Sequence, residues 1–231
     1  MAHLSTKQIK QLIEIDNAGK GIKDEVQALI ARLTSGGVGA KSDDPRVAQA
    51  KRLYGKGLFS KVESFTDFLA TIPEIPEALK VASDRFPELV LVDTRLPISK
   101  VCELLGIEFF GNIDFPGNDE TYVDYDPNTV KTDKVYWMRA QDGKKNDGKS
   151  VQICRKSFAE DEVGLSAYEG LAFFAQNPKS FKVRVVDLPG SVHRDSRGDA
   201  AYLGWHAGRP VLYWARDGGA DPSFGSASRR K

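Results

Sequence analysis

Residues 188–199 (LPGSVHRDSRGD) gather the side-chain types that nucleophilic and acid–base catalysis use. Ser191, His193 and Asp195 alternate, so an extended backbone would place them on one side, with Cα atoms two residues apart separated by ~6–7 Å. Parallel side chains at that spacing are poor geometry for a serine–histidine–aspartate triad, and the G-x-S-x-G nucleophile elbow is absent. We therefore predict a turn-rich link, with His193 and Arg197 at the rim of a binding surface.

Residues 200–214 (AAYLGWHAGRPVLYW) predict two strands joined by a two-residue turn at Ala207-Gly208. Because faces alternate along paired strands, this register divides the side chains into two sets. The set expected to face the core is Leu203, Trp205, Pro210, Leu212 and Trp214. The other set is Tyr202, Gly204, His206, Arg209, Val211 and Tyr213.

The second set combines aromatic and basic side chains with a glycine that leaves room above the sheet. An ordinary half-exposed sheet face is the simpler interpretation of such a pattern. The alternative is a ligand platform, on which Tyr202, His206, Arg209 and Tyr213 are the predicted binding residues. The platform would take a protein partner or an anionic small ligand.

Histidine provides a second, enzymatic hypothesis. A hydrolase or transferase could use His193 or His206 with Asp195 or Asp199 as acid–base groups. His3 is expected in a frayed terminus, so the set of candidate histidines is small. This hypothesis requires the chosen imidazole to open into a pocket with a carboxylate within hydrogen-bond reach.

Metal and nucleotide motifs are missing. The acidic stretch with Asp114, Asp119, Glu120, Asp124 and Asp126 lacks the spacing of a calcium-binding loop, so a solvated loop is expected. The two cysteines are about 50 positions apart and give no paired-ligand spacing. The phosphate-binding patterns G-x-x-x-x-G-K-[ST] and strand-linked G-x-G-x-x-G do not occur. We expect no metal and no cofactor.

The first hundred residues predict mainly helices. Apolar residues recur at helical spacing between positions 9 and 33, and Asp44-Pro45 predicts the start of a helix that runs to about Gly55. Ser64 and Pro76 predict the starts of two more. Residues 88–96 (ELVLVDTRL) predict a strand, followed by a helix from Pro97 to Gly106.

The pattern changes after an irregular connection at residues 111–134. The segments VYWMRAQ, SVQICRKSF and FKVRVVDLP predict strands, and Ser166 with Glu169 forms a capping box that starts the helix AYEGLAFFAQ. The predicted class is α+β. We expect a helical region 1–110 with one short strand, and a domain 135–231 in which an antiparallel sheet packs on a helix in the order β-β-α-β-β-β.

Composition is that of a folded chain, with 41% hydrophobic and 28% charged residues among 231. Residues 61–128 carry five basic and fourteen acidic side chains, an acidic region that would repel phosphate, so specific nucleic-acid binding is not expected. The N-terminus has no secretory pattern and no apolar stretch is long enough to span a membrane. A cytoplasmic protein is expected, with Cys102 and Cys154 as buried free thiols.

Four C-terminal blocks show a resemblance. DEVGLSAYEGLAFFAQNP, DLPGS, AYLGWHAGRPVL and DPSFGSAS, in that order, resemble an uncharacterised family of bacterial proteins of unknown function. ELVLVDTRLPISKVCELLGI resembles an N-terminal element of the same family, so the resemblance covers residues 88–228. It implies a bacterial or phage cytoplasmic protein in which this block folds as one unit, and it carries no activity, cofactor or catalytic residue. From the residues themselves, we predict a non-enzymatic binding or accessory module.

Overall fold

The computed structural model describes residues 44–59, 64–110, 122–126, 133–194 and 198–231. By internal contacts the chain divides into two compact units, residues 1–43 and 44–231. The helices predicted within the first unit, and most of the predicted connection 111–134, lie outside the described residues.

Six α-helices occur in the described part of the second unit. They are α1 (Pro45–Gly55), α2 (Phe65–Ala70), α3 (Glu77–Lys80), α4 (Ile98–Leu105), α5 (Val151–Ser157) and α6 (Ala167–Gln176). Short 3₁₀ turns lie at Lys144–Asn146 and Ser180–Lys182.

Local sequence signals place most of these helix ends. The Asp44 side chain accepts a hydrogen bond from the backbone N–H of Arg46, and proline follows at the first helical position. Ser64 accepts one from the N–H of Asp67 at the start of α2. Gly106 ends α4 with a left-handed φ of 66°. The starts predicted for α1, α2 and α3 and both ends of α4 are confirmed.

In the described part of the chain, ten strands form two sheets. The strands are β1 (Glu88–Asp93), β2 (Glu108–Phe109), β3 (Tyr122–Asp124), β4 (Val135–Gln141), β5 (Glu162–Gly164), β6 (Val185–His193), β7 (Ala200–His206), β8 (Arg209–Ala215), β9 (Phe224–Ser226) and β10 (Ser228–Arg230). The first sheet has the order β1-β4-β10-β5. The second has the order β2-β8-β7-β6-β3, with β9 paired to β6. Parallel pairs join β2 to β8 and β6 to β9, so the second sheet is mixed and not purely antiparallel.

The strand predicted for SVQICRKSF was wrong, because residues 151–157 form helix α5. Ser150 caps this helix by accepting a hydrogen bond from the N–H of Ile153. Val151 and Cys154 are buried while Ile153 is 54% exposed, which is a helical and not an alternating pattern. The Ser150 cap and the burial at positions i and i+3 favour a helix over a strand here.

Helix α6 is the centre of the core. Nine of its ten residues are buried, the exception being Tyr168, as expected for a helix enclosed on all sides. It contacts β1 of the first sheet and β6 and β7 of the second. The predicted α+β class and the predicted capping box of α6 are both confirmed.

Candidate functional site

The β7–β8 hairpin has the predicted register along its whole length. The pairs run from Ala200 opposite Ala215 to His206 opposite Arg209. Ala207 and Gly208 have φ values of 49° and 82°. Positive φ at both central residues is what a type I′ turn requires.

The core-facing set is only partly confirmed. Leu203 and Leu212 are buried, but Trp205 is 36% exposed, so its predicted place in the core was wrong. Trp205 lies beyond the neighbouring strands, because the register of β6 with β7 ends at Leu203 and β2 pairs with β8 only at Val211 and Leu212. The end of the hairpin therefore projects past the sheet.

The opposite face carries a row of aromatic rings, of which Tyr202, Tyr213 and Phe224 are half-buried and Phe110 is exposed. Phe110 packs edge-on against Tyr213 with 4.8 Å between ring centroids, Tyr213 against Tyr202 at 5.9 Å, and Tyr202 against Phe224 at 5.5 Å. We call these four residues the aromatic row. Because each tyrosine ring packs against rings on both sides, part of its surface is used within the protein.

The predicted space above Gly204 is filled. A Cβ atom at Gly204 would come within 3.2 Å of Val185 Cγ2, so the expectation of an open platform there was wrong.

Tyr213 also stacks on its chain neighbour Trp214 at 4.3 Å, although strict alternation had assigned them to opposite faces. Strand alternation is thus relaxed near the ends of the hairpin strands.

Apolar and basic side chains meet at the exposed end of the hairpin. Val183 is 75% exposed, and the neighbouring Lys182 places its Nζ 5.0 Å from the centroid of the Trp205 ring. His206 and Arg209 are exposed and face each other across the turn. We call these five residues the tip surface. The ammonium–indole contact is a cation–π interaction on an exposed surface.

His193 does not join the tip surface. It ends strand β6, where its ring stacks on Trp214 at 4.0 Å and its backbone N–H donates to the carbonyl of Asp199 at 2.8 Å. His206 is at the opposite end of β7, six residue steps from Ala200, which is about 20 Å at the rise of a strand. The two predicted histidines are therefore not in one site. Arg197 and Asp195 lie outside the described residues.

The predicted link at 188–199 was wrong over its first half, because β6 continues to His193. Leu188 pairs with Ala201 and Val192 with Ala200, so the three residues between them form a bulge. Arg155 holds this bulge by donating to the carbonyl of Pro189 at 2.9 Å. Its role is structural, since its side chain is buried and also pairs with Asp217 at 3.1 Å.

A second candidate site, which the sequence reasoning missed, is a cavity of about 210 Å³ beside the start of α6. We call it the polar cavity. Strands of both sheets and the bulge of β6 contribute to it. Its lining residues are Thr94, Asp124, Lys134, Tyr136, Gly164, Ser166, Tyr168, Glu169, Gly190 and Arg229.

The floor of the polar cavity is a buried ion pair with a phenol. Glu169 and Arg229 have side chains that are each only 3% exposed, and Arg229 Nε donates to Glu169 Oε1 at 2.5 Å. Tyr136 donates its O–H to the same oxygen at 2.9 Å. The other oxygen, Oε2, accepts the backbone N–H of Ser166 at 2.8 Å. Burial raises the pKa of the Tyr136 phenol, with the Glu169 charge acting in the same direction, so Tyr136 is held as a donor.

The mouth of the polar cavity carries two charges of opposite sign, Lys134 in solvent and Asp124 partly screened from it. Partial burial raises the pKa of the Asp124 carboxyl, and the negative charge of Glu169 adds to this. Thr94 lies beside Lys134, where its Oγ1 donates to the Lys134 carbonyl at 3.2 Å. The arrangement can offer an ammonium donor and a carboxylate acceptor to one bound molecule.

One wall of the polar cavity is a close backbone crossing. A Cβ atom at Gly190 would lie 2.5 Å from the carbonyl oxygen of Gly164, and one at Gly164 would lie 2.8 Å from the Gly190 nitrogen. Real Cβ atoms do not approach so closely, so only glycine fits both positions. The bulge of β6 can therefore contact β5 directly, with the Gly190 N–H donating to the Leu165 carbonyl at 2.8 Å.

Asp187 is a buried carboxyl between the two candidate sites. It lies opposite Tyr202 in the sheet and is 5% exposed. Burial raises its pKa to about 7, against the opposing effect of the Arg155 charge. Asp187 therefore titrates near neutral pH.

One sequence signal for the polar cavity is the capping box, which by itself predicts only where helix α6 starts. The capping box identified Ser166 and Glu169 as helix-start residues, which they are. Nothing local linked Glu169 to Tyr136, 33 positions earlier, or to Arg229, 60 positions later.

Three further observations concern metals, thiols and membranes. Among the described residues no three His, Cys, Asp or Glu side chains are grouped so that they could hold a metal ion, and Asp114, Asp119 and Glu120 lie outside those residues. Cys102 and Cys154 are buried free thiols, as predicted. In the described part of the chain, no helix combines the length and apolar character that crossing a bilayer needs.

Comparison with known proteins gave no relative: no family model, no curated protein and no solved structure matches the chain. The function has to be argued from the geometry of the two candidate sites.

Proposed function

We propose that the protein is a non-enzymatic binding module whose tip surface contacts an acidic protein partner. The observation that carries this proposal is the exposed Trp205 ring with the Lys182 ammonium above it. Tryptophan and arginine are the side chains most often found at the energetic centres of protein interfaces. At the tip surface an indole, an ammonium and the Arg209 guanidinium are presented on a hairpin of defined register.

Charge favours an acidic partner. Lys182 and Arg209 make the tip surface basic, and complementary charge accelerates association and orients the partner. The exposed Val183 supplies apolar area beside these charges. The aromatic row has a supporting role, because the packing of Tyr202 and Tyr213 against neighbouring rings stiffens the hairpin that carries the tip surface.

The resemblance and the buried thiols support a bacterial, cytoplasmic setting, where free cysteines persist in the reduced state.

The enzymatic alternative, a hydrolase or transferase based on His193 or His206, has less support. His206 is exposed next to a turn, and His193 is stacked on Trp214. Neither residue lines the polar cavity.

Affinity capture from a lysate of the native host, followed by mass spectrometry, tests the proposal. The test variant combines Trp205→Ala with Arg209→Glu, and the matched control combines Val81→Ala with Lys56→Glu, at exposed positions elsewhere. Both variants should melt within a few degrees of the parent. We expect the parent and the control to retain the same acidic proteins, and the test variant to lose them.

Raising ionic strength should weaken this capture, because exposed charge pairs are screened beyond about 10 Å at 0.1 M salt. If the test variant captures the same proteins in the same amounts as the parent, the tip surface is not the contact and the proposal fails.

A further inference from the structure

We propose that the polar cavity binds a small zwitterion of the α-amino acid class, with its ammonium group beside Asp124 and its carboxylate beside Lys134. The proposal is independent of the tip surface, which contributes no residue to the lining of the cavity. It rests on three features of the cavity: its size, its charge balance and the distribution of partners between floor and mouth.

Size limits the ligand. The volume of about 210 Å³ is below the roughly 300–1,000 Å³ of pockets that bury drug-sized ligands. A cavity of this size fits a molecule of about ten non-hydrogen atoms, such as a free amino acid. Nucleotides and peptides are larger.

Charge balance selects a ligand with no net charge. Among the described lining residues, two are acidic, Asp124 and Glu169, and two are basic, Lys134 and Arg229. A net anion would lie near an uncompensated carboxylate, and a net cation near an uncompensated ammonium. A zwitterion satisfies both signs at once.

The floor and the mouth have different roles, because the floor charges are paired with each other while, among the described residues, the mouth charges have no ion pair. Glu169 is fully engaged by Arg229, Tyr136 and the N–H of Ser166, so it does not need a ligand. Asp124 and Lys134 form no side-chain ion pair with any described residue. A ligand ammonium at Asp124 would also be favoured by its partly desolvated position, since pairing across a less aqueous region is stronger.

Ser166 can complete the recognition. Its Oγ accepts the N–H of Glu169 at 3.3 Å, and among the described residues its own O–H has no acceptor. The hydroxyl can therefore donate to the ligand carboxylate, close to the start of α6 where negative charge is stabilised by the helix dipole.

The experiment is calorimetric titration of the full chain with each of the twenty standard L-α-amino acids, up to roughly 10 mM so that weak affinity is detected. The tightest ligand is then compared with its carboxamide, which is a cation, and its N-acetyl derivative, which is an anion. We expect at least one amino acid to bind, and both derivatives to bind at least tenfold more weakly.

Variants locate the site. Asp124→Asn and Lys134→Gln should each weaken binding of that amino acid at least tenfold, while Asp84→Asn and Lys156→Gln, at exposed positions outside the cavity, should leave it unchanged. The tip variant Trp205→Ala with Arg209→Glu should also bind normally, which separates this proposal from the proposed function.

The proposal is overturned if none of the amino acids binds, if either charged derivative binds as well as its parent, or if the Asp124 and Lys134 variants bind like the controls.

Discussion

The β7–β8 hairpin and the floor of the polar cavity are assembled over very different distances along the chain. In the hairpin no strand pair joins residues more than 15 positions apart. In the floor, Glu169 meets Tyr136 across 33 positions and Arg229 across 60. The hairpin also ends in solvent, whereas the ion pair of the floor is almost completely buried. A substitution at the hairpin end should therefore have a small and local effect, and one in the floor a large effect on the whole fold.

The largest expected effect is that of Arg229→Met. This change leaves the Glu169 carboxylate buried without its cation, and breaking a buried ion pair from one side costs about 3–5 kcal/mol. Urea unfolding should show the loss. The same substitution at the tip, Arg209→Met, is the matched control and should change the unfolding free energy by less than about 0.5 kcal/mol.

The double variant Arg229→Met with Glu169→Gln should recover part of the stability lost in Arg229→Met, because no unpaired charge remains buried. If Arg229→Met and Arg209→Met proved equally stable, the contrast between floor and hairpin would be lost.

The next effect concerns Asp187, which lies between the two regions. Its pKa of about 7 is above the value near 3.9 of an unfolded aspartate. The folded state therefore binds the proton more tightly, and this contribution to stability is complete below about pH 4 and is lost as pH rises through about 7. At 1.36 kcal/mol per pKa unit the loss is up to about 4 kcal/mol.

Asp187→Asn should remove this component, so the variant gains stability relative to the parent between pH 4 and pH 8. Thermal unfolding across that range measures it, with Asp84→Asn, at an exposed position, as control. If the melting temperatures of the Asp187 variant and the parent changed with pH in the same way, Asp187 would not titrate in this range.

The smallest effect is expected at the turn. Ala207 has a φ of 49°, a left-handed conformation that costs an L-residue other than Gly, Asn or Asp roughly 1–2 kcal/mol. Ala207→Asn creates the Asn-Gly pair that type I′ turns favour and should stabilise the protein by about 1 kcal/mol.

Chemical unfolding of this variant is compared with that of Ala82→Asn at an exposed position outside the helices and strands, which should be nearly neutral. A destabilised Ala207→Asn variant would mean that the turn is not of type I′ in solution.

The sequence predicted well where the determining interactions are short-range. The caps at Asp44, Ser64 and Ser166 are confirmed, and so is the left-handed glycine at Gly106, because each depends on groups within one helical turn. The hairpin register is confirmed for the same reason, since a two-residue turn determines every pair that follows it.

Prediction failed where the answer depends on what lies beyond the segment. SVQICRKSF was predicted as a strand, but the tertiary structure buries it at positions i and i+3, as helix α5. Trp205 alternates correctly along its strand and is exposed because the neighbouring strands end before it. The openness expected above Gly204 was wrong because Val185 of another strand fills that space.

By itself the sequence determined the α+β class, most of the helix ends described here, the turn at Ala207-Gly208 and the burial of both cysteines. Only the tertiary structure decided that Tyr136, Glu169 and Arg229 form one buried floor, that Asp124 and Lys134 share its mouth, and that Trp205 emerges beside Lys182. The reason is physical. Caps and turns are set by hydrogen bonds and backbone sterics within a few residues, whereas a cavity depends on which distant strands become neighbours when the two sheets close on helix α6.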